Sequence, residues 1–552
     1  MQTDAGIGIH SALAIHCLPA ALLPALSRVT MTLLATWSPS VHETWLPVFT
    51  LLLTQLPLSD VESICVPVAL CMGEPSQTVQ TRTLACSLIG ELAVKLGGKF
   101  RGEVWNRTRL LSQDPHFEVR KQMAMQLTRI AVAVDRAIRP LVLEEVAKLL
   151  VDDEIEVSRA ATDHLEPLFD CCDSPTLSKV IAEELIQSKD DFILLGLAQI
   201  SGKLLHSTLR LPNFPYSSTI YDFYKSLLQA PSSALQFAAA SNFPLVFKSR
   251  ISAGAESELV GMLERFAGNQ LAEVRIATAK GLYEILPACS RPQGLHHLVV
   301  NMLADPATMW EVAEHLAVLY NVLKAEENQG FWTAVQPLLS PTHWWRHVST
   351  VLREIASMRG SWKMSELLDF VQPSLLTLLR EGCWTLRLQA LDLVVALLHD
   401  NFYKARRVET CQAVTAAFGQ AANCFMRVLY VEFCLRVVKT HSKNFFETYF
   451  FRQLLELKRD RVVCVRMRMT EALPRVGKVF SGEEAWSSEV SEAVNQLSTD
   501  SDPEVRQRAF HALKEMGQKE YWEAARVVEA EEAVKLAREA AQDELEMAVR
   551  AR

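Results

Sequence analysis

Glycine is scarce in this chain. Twenty-one glycines in 552 residues lie well below the average of about 7%, which argues against an all-β fold built on tight turns and against collagen-like sequence. Proline is also sparse, with 23 residues. No basic excess exists: the net charge of −8 excludes a dedicated nucleic-acid binder, which must neutralise phosphates. Twelve cysteines are scattered along the chain, and no two stand in C-x-x-C spacing. A disulfide scaffold is short and cysteine-dense, so the expectation is free, mostly buried thiols in a reducing compartment. The sequon Asn106-Arg107-Thr108 then carries no glycan, because glycosylation needs the secretory route.

Chemical motifs are missing as well. There is no P-loop and no H-E-x-x-H, and Gly6-Ile7-Gly8 lacks the third glycine of a dinucleotide fingerprint. His343 and His347 are spaced to share a helix face but have no local third zinc ligand. The adjacent Cys171-Cys172 pair has no neighbour that would lower a thiol pKa. These absences predict no cofactor, no metal and no enzyme activity. Residues 5–27 carry no formal charge, a length that would span a bilayer. They hold Pro19 and Pro24 and follow no lysine or arginine, so the expectation is buried helix or a poorly ordered start, with no membrane segment.

What is present is a repeat. An Asp, Asn or Glu is followed five residues later by an apolar residue, usually then by Arg. Apolar or small residues follow at +4 or +5, +8 and +11 from that apolar anchor. Asp114 leads to Val119-Arg120, Met123, Leu127 and Ile130; Asp152 leads to Val157, Ala161, Leu165 and Leu168. Asn269 leads to Val274-Arg275, Glu381 to Leu386-Arg387, Asp460 to Val465-Arg466 and Asp500 to Val505-Arg506. The anchors at 119, 157, 274, 386, 465 and 505 are separated by near multiples of one period of about 39 residues, and weaker copies such as Thr81-Arg82 fill the gaps.

These offsets trace one face of a helix. A second apolar stretch precedes each, as in residues 141–150. The unit is therefore two helices and a turn, with the acid where the second helix begins, placed to accept from free amides there. The period and pattern resemble HEAT units. The expected fold is an all-α HEAT-repeat α-solenoid, a superhelix of about twelve antiparallel helix pairs over residues 41–516. An apolar segment of uncertain structure precedes it at 1–40, and a charged helix follows at 517–552. The acids and arginines, Arg82 among them, are expected to pair along a structural ladder.

Charge is uneven. Residues 401–478 hold fifteen Lys/Arg against six acids, and residues 479–552 hold seventeen acids against nine bases. A basic block within an acidic chain is a candidate docking surface for an acidic partner. Arg406, Arg407, Arg459 and Arg461 fall in turns or at helix ends by the periodicity, which makes them the candidate contacts.

Several stretches are similar to a known family: LLSQDPHFEVRKQMAMQLTRIA (110–131), VDDEIEVSRAATDHLEPLFD (151–170), DFYKSL (222–227), SNFPLVF (241–247) and NFFETYFFRQLLELKRDRVVCVRMRMTEALPRV (444–476). Their order and separation resemble the regulatory subunit 4 family of serine/threonine-protein phosphatase 4, which is related to the HEAT scaffold subunit of type-2A phosphatases. The resemblance covers about residues 50–520. It implies a non-catalytic, cytoplasmic subunit that binds the phosphatase 4 catalytic subunit, with metals and catalytic residues belonging to that partner. The alternative is a HEAT or armadillo transport or assembly adaptor. Armadillo importins use W-x-x-x-N ladders, and none of the eleven tryptophans here has Asn four residues on.

Overall fold

The computed structural model describes residues 9–10, 19–35, 39–171, 175–209, 211, 214–249, 255–323, 329–480, 484–516, 534 and 537–538. The expected charged helix at 517–552 therefore lies almost entirely outside the described residues, as does most of the segment 1–18. Among the described residues every regular element is helical. The chain divides into two units, one formed by Met1–Leu298 with Asp305–Val312, the other by Val299–Ala304 with Ala313–Arg552.

In the first unit the second helices of successive repeats are α1 (Val79–Leu96), α2 (Phe117–Ala133), α3 (Ile155–Asp163), α4 (Asp191–Leu209), α5 (Ser233–Lys248) and α6 (Ala272–Ile285). Each packs against the next. First helices such as Glu103–Ser112, Arg139–Leu150 and Ala255–Ala267 form the other layer. In the second unit the same stack is made by α7 (Trp345–Ser357), α8 (Trp384–Asp400), α9 (Cys424–Thr440), α10 (Val463–Phe480) and α11 (Pro503–Glu515). The repeat anchors are the core: Val119, Val157, Val274, Leu386, Val465 and Val505 are all buried, as are Leu127, Leu282, Val394 and Leu473 one face-turn on. A single helix pair has no way to cover such a face, so stacking provides the core.

Ahead of the stack, Leu23–Ala35 packs on Pro39–Gln55 and buries Leu23, Met31 and Leu34. Among the described residues one helix, α4, is long and apolar enough to cross a membrane. It is a stack member between α3 and α5. Its close approach to α5 is fixed by Asn242, whose Oδ1 accepts from the Gly202 amide at 3.1 Å and whose Nδ2 donates to the Gln199 carbonyl at 2.8 Å. A Cβ at Gly202 would stand 2.8 Å from that Asn242 oxygen, so a larger residue would push the two helices apart.

One predicted helix is broken. The offsets from Asp152 place Leu165 and Leu168 on the same helix as Val157, but α3 stops at Asp163 and a new helix runs Glu166–Cys171. Pro167 is the cause: its ring clashes with the carbonyl four residues back and it has no N–H to donate, but it suits a helix's first turn. Leu165 and Leu168 are buried nonetheless, because the bend keeps both on the core side.

In the second unit the C-terminal ends of α7, α8 and α9 are held together. Arg359, just past α7, pairs with Asp400 at the end of α8, Nη2 to Oδ1 at 2.8 Å. The His399 ring meets His441, the C-terminal cap of α9, edge to face at 5.5 Å. His441 also stacks on Phe445 at 4.7 Å, its Nδ1 sits 2.8 Å from the Thr440 hydroxyl, and its buried Nε2 has no hydrogen-bond partner. Burial, the facing His399 and Arg407 push its pKa down to about 4. The unfolded chain, with an ordinary value near 6.5, takes the proton first as pH falls. The stabilisation from neutral His441 is therefore complete above about pH 6.5 and is lost as pH falls toward 4. Urea unfolding at pH 7 and pH 5 is expected to differ by on the order of 1–2 kcal/mol more in the wild type than in His441→Phe. Equal pH dependence in both would refute the assignment.

Candidate docking surface and the charge ladder

In five of the described repeats the turn between the two helices is built around one carboxylate. Asp114, Asp152, Asp305, Asp460 and Asp500 each accept, through Oδ1, from the amide two residues on at 2.8–3.0 Å. This closes the turn before the helix starts. Capping falls to a later residue, as with Asp502 on the amides of Glu504 and Val505. The other face of the carboxylate receives an arginine from the previous repeat. Arg82 reaches Asp114 with Nε at 2.7 Å and Nη2 at 3.0 Å. Arg120 reaches Asp152 twice at 2.8 Å, and Arg466 reaches Asp500 at 2.6 and 2.8 Å. Arg275 pairs with Asp305 at 2.7 Å. The third guanidinium nitrogen turns back on the arginine's own turn: Arg120, Arg275, Arg466 and Arg506 donate Nη1 to the carbonyl six residues earlier at 2.8–3.0 Å. Each rung thus ties one turn to the next, in the two-pronged geometry that suits Arg and carboxylate. Burial raises the carboxyls of Asp152, Asp460 and Asp500, and the hydrogen bonds from their arginines and turn amides outweigh it, holding all three below the usual carboxylate range.

The structure adds rungs and removes others. Arg159 pairs with Asp190, Nη2 to Oδ2 at 2.6 Å, and Arg427 pairs with Asp460. Asn269 is a ladder residue without charge: its Nδ2 donates to Gln236 Oε1 at 2.9 Å, and Gln236 donates to the Ala230 carbonyl at 2.8 Å as the arginines do to theirs. Glu381 is not a ladder acid. It ends the helix Gln372–Glu381 and is exposed, because Gly382 and Cys383 form the turn after it. Among the described residues no carboxylate pairs with Arg387. Its Nη2 donates to the Arg380 carbonyl at 2.9 Å and its buried Nε has no hydrogen-bond partner.

Part of the basic block is neutralised from within and from neighbouring repeats. Arg406 pairs with Asp369, Arg436 with Asp392 and Glu432, and Arg468 with Glu432 and Glu471. Arg407 is half-buried, lies over the Phe445 ring at 5.7 Å and donates to the Asn401 carbonyl at 3.4 Å. Arg459 and Arg461 are exposed in the turn before α10, and among the described residues neither is ion-paired. They flank Asp460, whose carboxylate is engaged by Arg427.

Among the described residues no group of three or more His, Cys, Asp and Glu is arranged to hold a metal ion. His343 lies in a turn, and His347, on α7, meets the Trp344 ring edge to face at 5.0 Å. Nine described cysteines are free thiols; Cys172 lies outside the described residues. A cleft between α10 and α11 is lined by Glu471, Pro474, Arg475, Arg508, His511 and Glu515, with Glu471 bridging Arg468 and Arg508 across its wall.

No protein-family model matches the chain. Over 485 residues, 79% of this chain and 55% of the relative, it is 23% identical to serine/threonine-protein phosphatase 4 regulatory subunit 4 of Homo sapiens. The Mus musculus protein of the same name is 23% identical over 450 residues, 73% of this chain and 51% of the relative. The chain spans about half the length of these relatives. Among solved structures, yeast importin-beta (Kap95p) matches with a TM-score of 0.52 and 13% identity over 94% of this chain and 72% of that one. Importin beta crystallised in a polyethylene glycol condition matches with a TM-score of 0.52 and 10% identity over 89% and 72%. The importin likeness is one of fold. The chain is a HEAT-like α-solenoid homologous to regulatory subunit 4 of phosphatase 4.

Proposed function

We propose that this chain is a non-catalytic regulatory or scaffold subunit that binds the catalytic subunit of serine/threonine-protein phosphatase 4 and directs its location or substrates in the cytoplasm. The observation that carries the reading is the 23% identity to a regulatory subunit of that phosphatase over 79% of the chain. The architecture suits the role, because stacked repeats offer a long surface with many shallow contacts. On this reading the metals and the catalytic groups belong to the partner. Docking is proposed at the turn before α10, where Arg459 and Arg461 are exposed and free of ion pairs among the described residues. Arg406 and Arg407 are secondary contacts, since each first has to leave an internal partner.

The test is binding of the purified phosphatase 4 catalytic subunit to the immobilised full chain. A one-to-one complex is expected, with association slowing as salt rises. In the variant carrying Arg459→Glu and Arg461→Glu, association is expected to slow by about tenfold and to lose most of its salt dependence, with thermal stability unchanged. Absence of any complex would overturn the functional reading. A complex that forms with unchanged kinetics in the variant would move the docking surface elsewhere.

A further inference from the structure

The ladder is interrupted between two neighbouring repeats that both keep their arginine, Arg387 on α8 and Arg427 on α9. Position 421 holds the place of the ladder acid. The Ala421 carbonyl accepts Nη1 of Arg427 at 2.7 Å, just as the Asp460 carbonyl accepts Nη1 of Arg466 at 2.8 Å. Alanine has no carboxylate to offer Arg387, whose Nε is left without a partner. An exposed aromatic residue stands near the start of each of the two helices. Trp384, one turn before Arg387 and on the same side of α8, is 45% exposed, and Phe425, at the start of α9, is 61% exposed. The two helices pack side by side. Their C-terminal ends meet through His399 and His441, so both aromatic residues lie at the opposite, N-terminal edge. Arg380, also exposed, adds a second positive charge in the turn before α8, with the exposed acid Glu381 next to it in sequence.

We propose that this broken rung docks an acidic segment of another protein. An Asp or Glu of the partner supplies the carboxylate that Ala421 lacks, and an adjacent apolar side chain packs on Trp384 and Phe425. Charge complementarity selects the occupant. In the intact rungs Nε and Nη2 of the arginine hold the two oxygens of one carboxylate, and exposed Trp and Phe beside an arginine are the residues that anchor protein contacts. The edge continues one repeat earlier at Trp345 on α7, with Arg346 stacked over its ring at 4.6 Å. Packed helices lie about 8–10 Å apart and an extended chain advances about 3.3 Å per residue. A bound segment therefore meets successive repeats with about every third side chain. This proposal does not depend on the phosphatase.

The test is selection of a displayed library of random 16-residue peptides on the full chain, followed by fluorescence polarisation with the enriched peptides. The expected peptides are rich in Asp or Glu with Leu or Phe about three residues apart, and bind more weakly in high salt. Ala421→Asp completes the rung internally, and is expected to raise the melting temperature and weaken peptide binding at least tenfold. Trp384→Ala, an exposed truncation, is expected to weaken binding to a similar extent with the melting temperature unchanged, and keeps the test valid if Ala421→Asp folds poorly. Failure to enrich acidic peptides, or acidic peptides that bind both variants as tightly as the wild type, would overturn the proposal. So would binding of phosphatidylserine vesicles through Trp384 and Phe425 in place of peptides.

Discussion

Val119→Asp is expected to destabilise the first unit by about 4 kcal/mol in equilibrium urea unfolding, the scale of an unpaired charge in a packed core. Val119 has no solvent exposure. It lies on α2, which packs against both α1 and α3, and its carbonyl already accepts the Cys86 thiol at 3.7 Å. Arg120, the next residue, is held by Asp152 and does not offer its charge to a new carboxylate. Val119→Ala, which only removes methyl groups, is expected to cost about 2 kcal/mol, so the difference isolates the charge. Repeats contact their neighbours, and the first damage is local. Hydrogen exchange is expected to quicken in α1, α2 and α3, with α5 and α6 of the same unit retaining their protection. A uniform loss through the unit would contradict the nearest-neighbour picture.

Arg427→Ala is expected to cost about 3 kcal/mol at neutral pH, within the range for removing one partner of a buried ion pair. The side chains of Arg427 and Asp460 are 8% and 6% exposed. Without the guanidinium, Asp460 retains the Val462 amide and loses its charge partner. The carbonyls of Ala421 and Ala422 lose their donor in the same step. The double variant Arg427→Met, Asp460→Leu is expected to recover part of the loss: apolar side chains of similar size need no desolvation of charge, while the Val462 amide and the Ala421 and Ala422 carbonyls stay without these partners. Both are measured by chemical denaturation. A single-mutant cost under 1 kcal/mol would show that the rung sets register between repeats and contributes little to their stability.

The solenoid was legible because its signal is a buried face. The anchor at Val119, Val274 or Val465 is fully covered, and a covered face has to repeat its apolar spacing. The ladder was legible in part, for the same reason in reverse: a rung needs only a donor and an acceptor in the right places. Arg159 stands one residue later than the motif expects and still reaches Asp190. Arg427 escapes the motif because Ala421 replaces its own turn's acid. Asp305 escapes it because its own repeat has Glu311 where arginine would stand. Gln236 and Asn269 reproduce the geometry without charge. Glu381 fits the spacing and fails, because the helix before it runs one residue too far. For the docking candidates, net charge over residues 401–478 counted arginines that acids such as Asp369, Asp392 and Asp500 neutralise from outside that stretch. Periodicity concerns the covered face alone, so the exposure of Trp384 and Phe425 was not to be read from it.

The rungs run along one edge of each stack, where the helix-pair turns lie, and they act as a stitched spine. Two repeats joined by a rung resist splaying at that edge, as book pages resist at the binding. Between α8 and α9 the stitch is absent, while the far edge keeps the aromatic contact of His399 with His441. Bending stiffness in the second unit is therefore uneven: the α8–α9 joint is compliant, opening at the turn edge and pivoting on the far edge, and so is the α7–α8 joint, where Glu381 makes no rung and Arg359 pairs with Asp400 at the far edge. The joints at α9–α10 and α10–α11 are pinned by Arg427–Asp460 and Arg466–Asp500 and transmit a load as one piece.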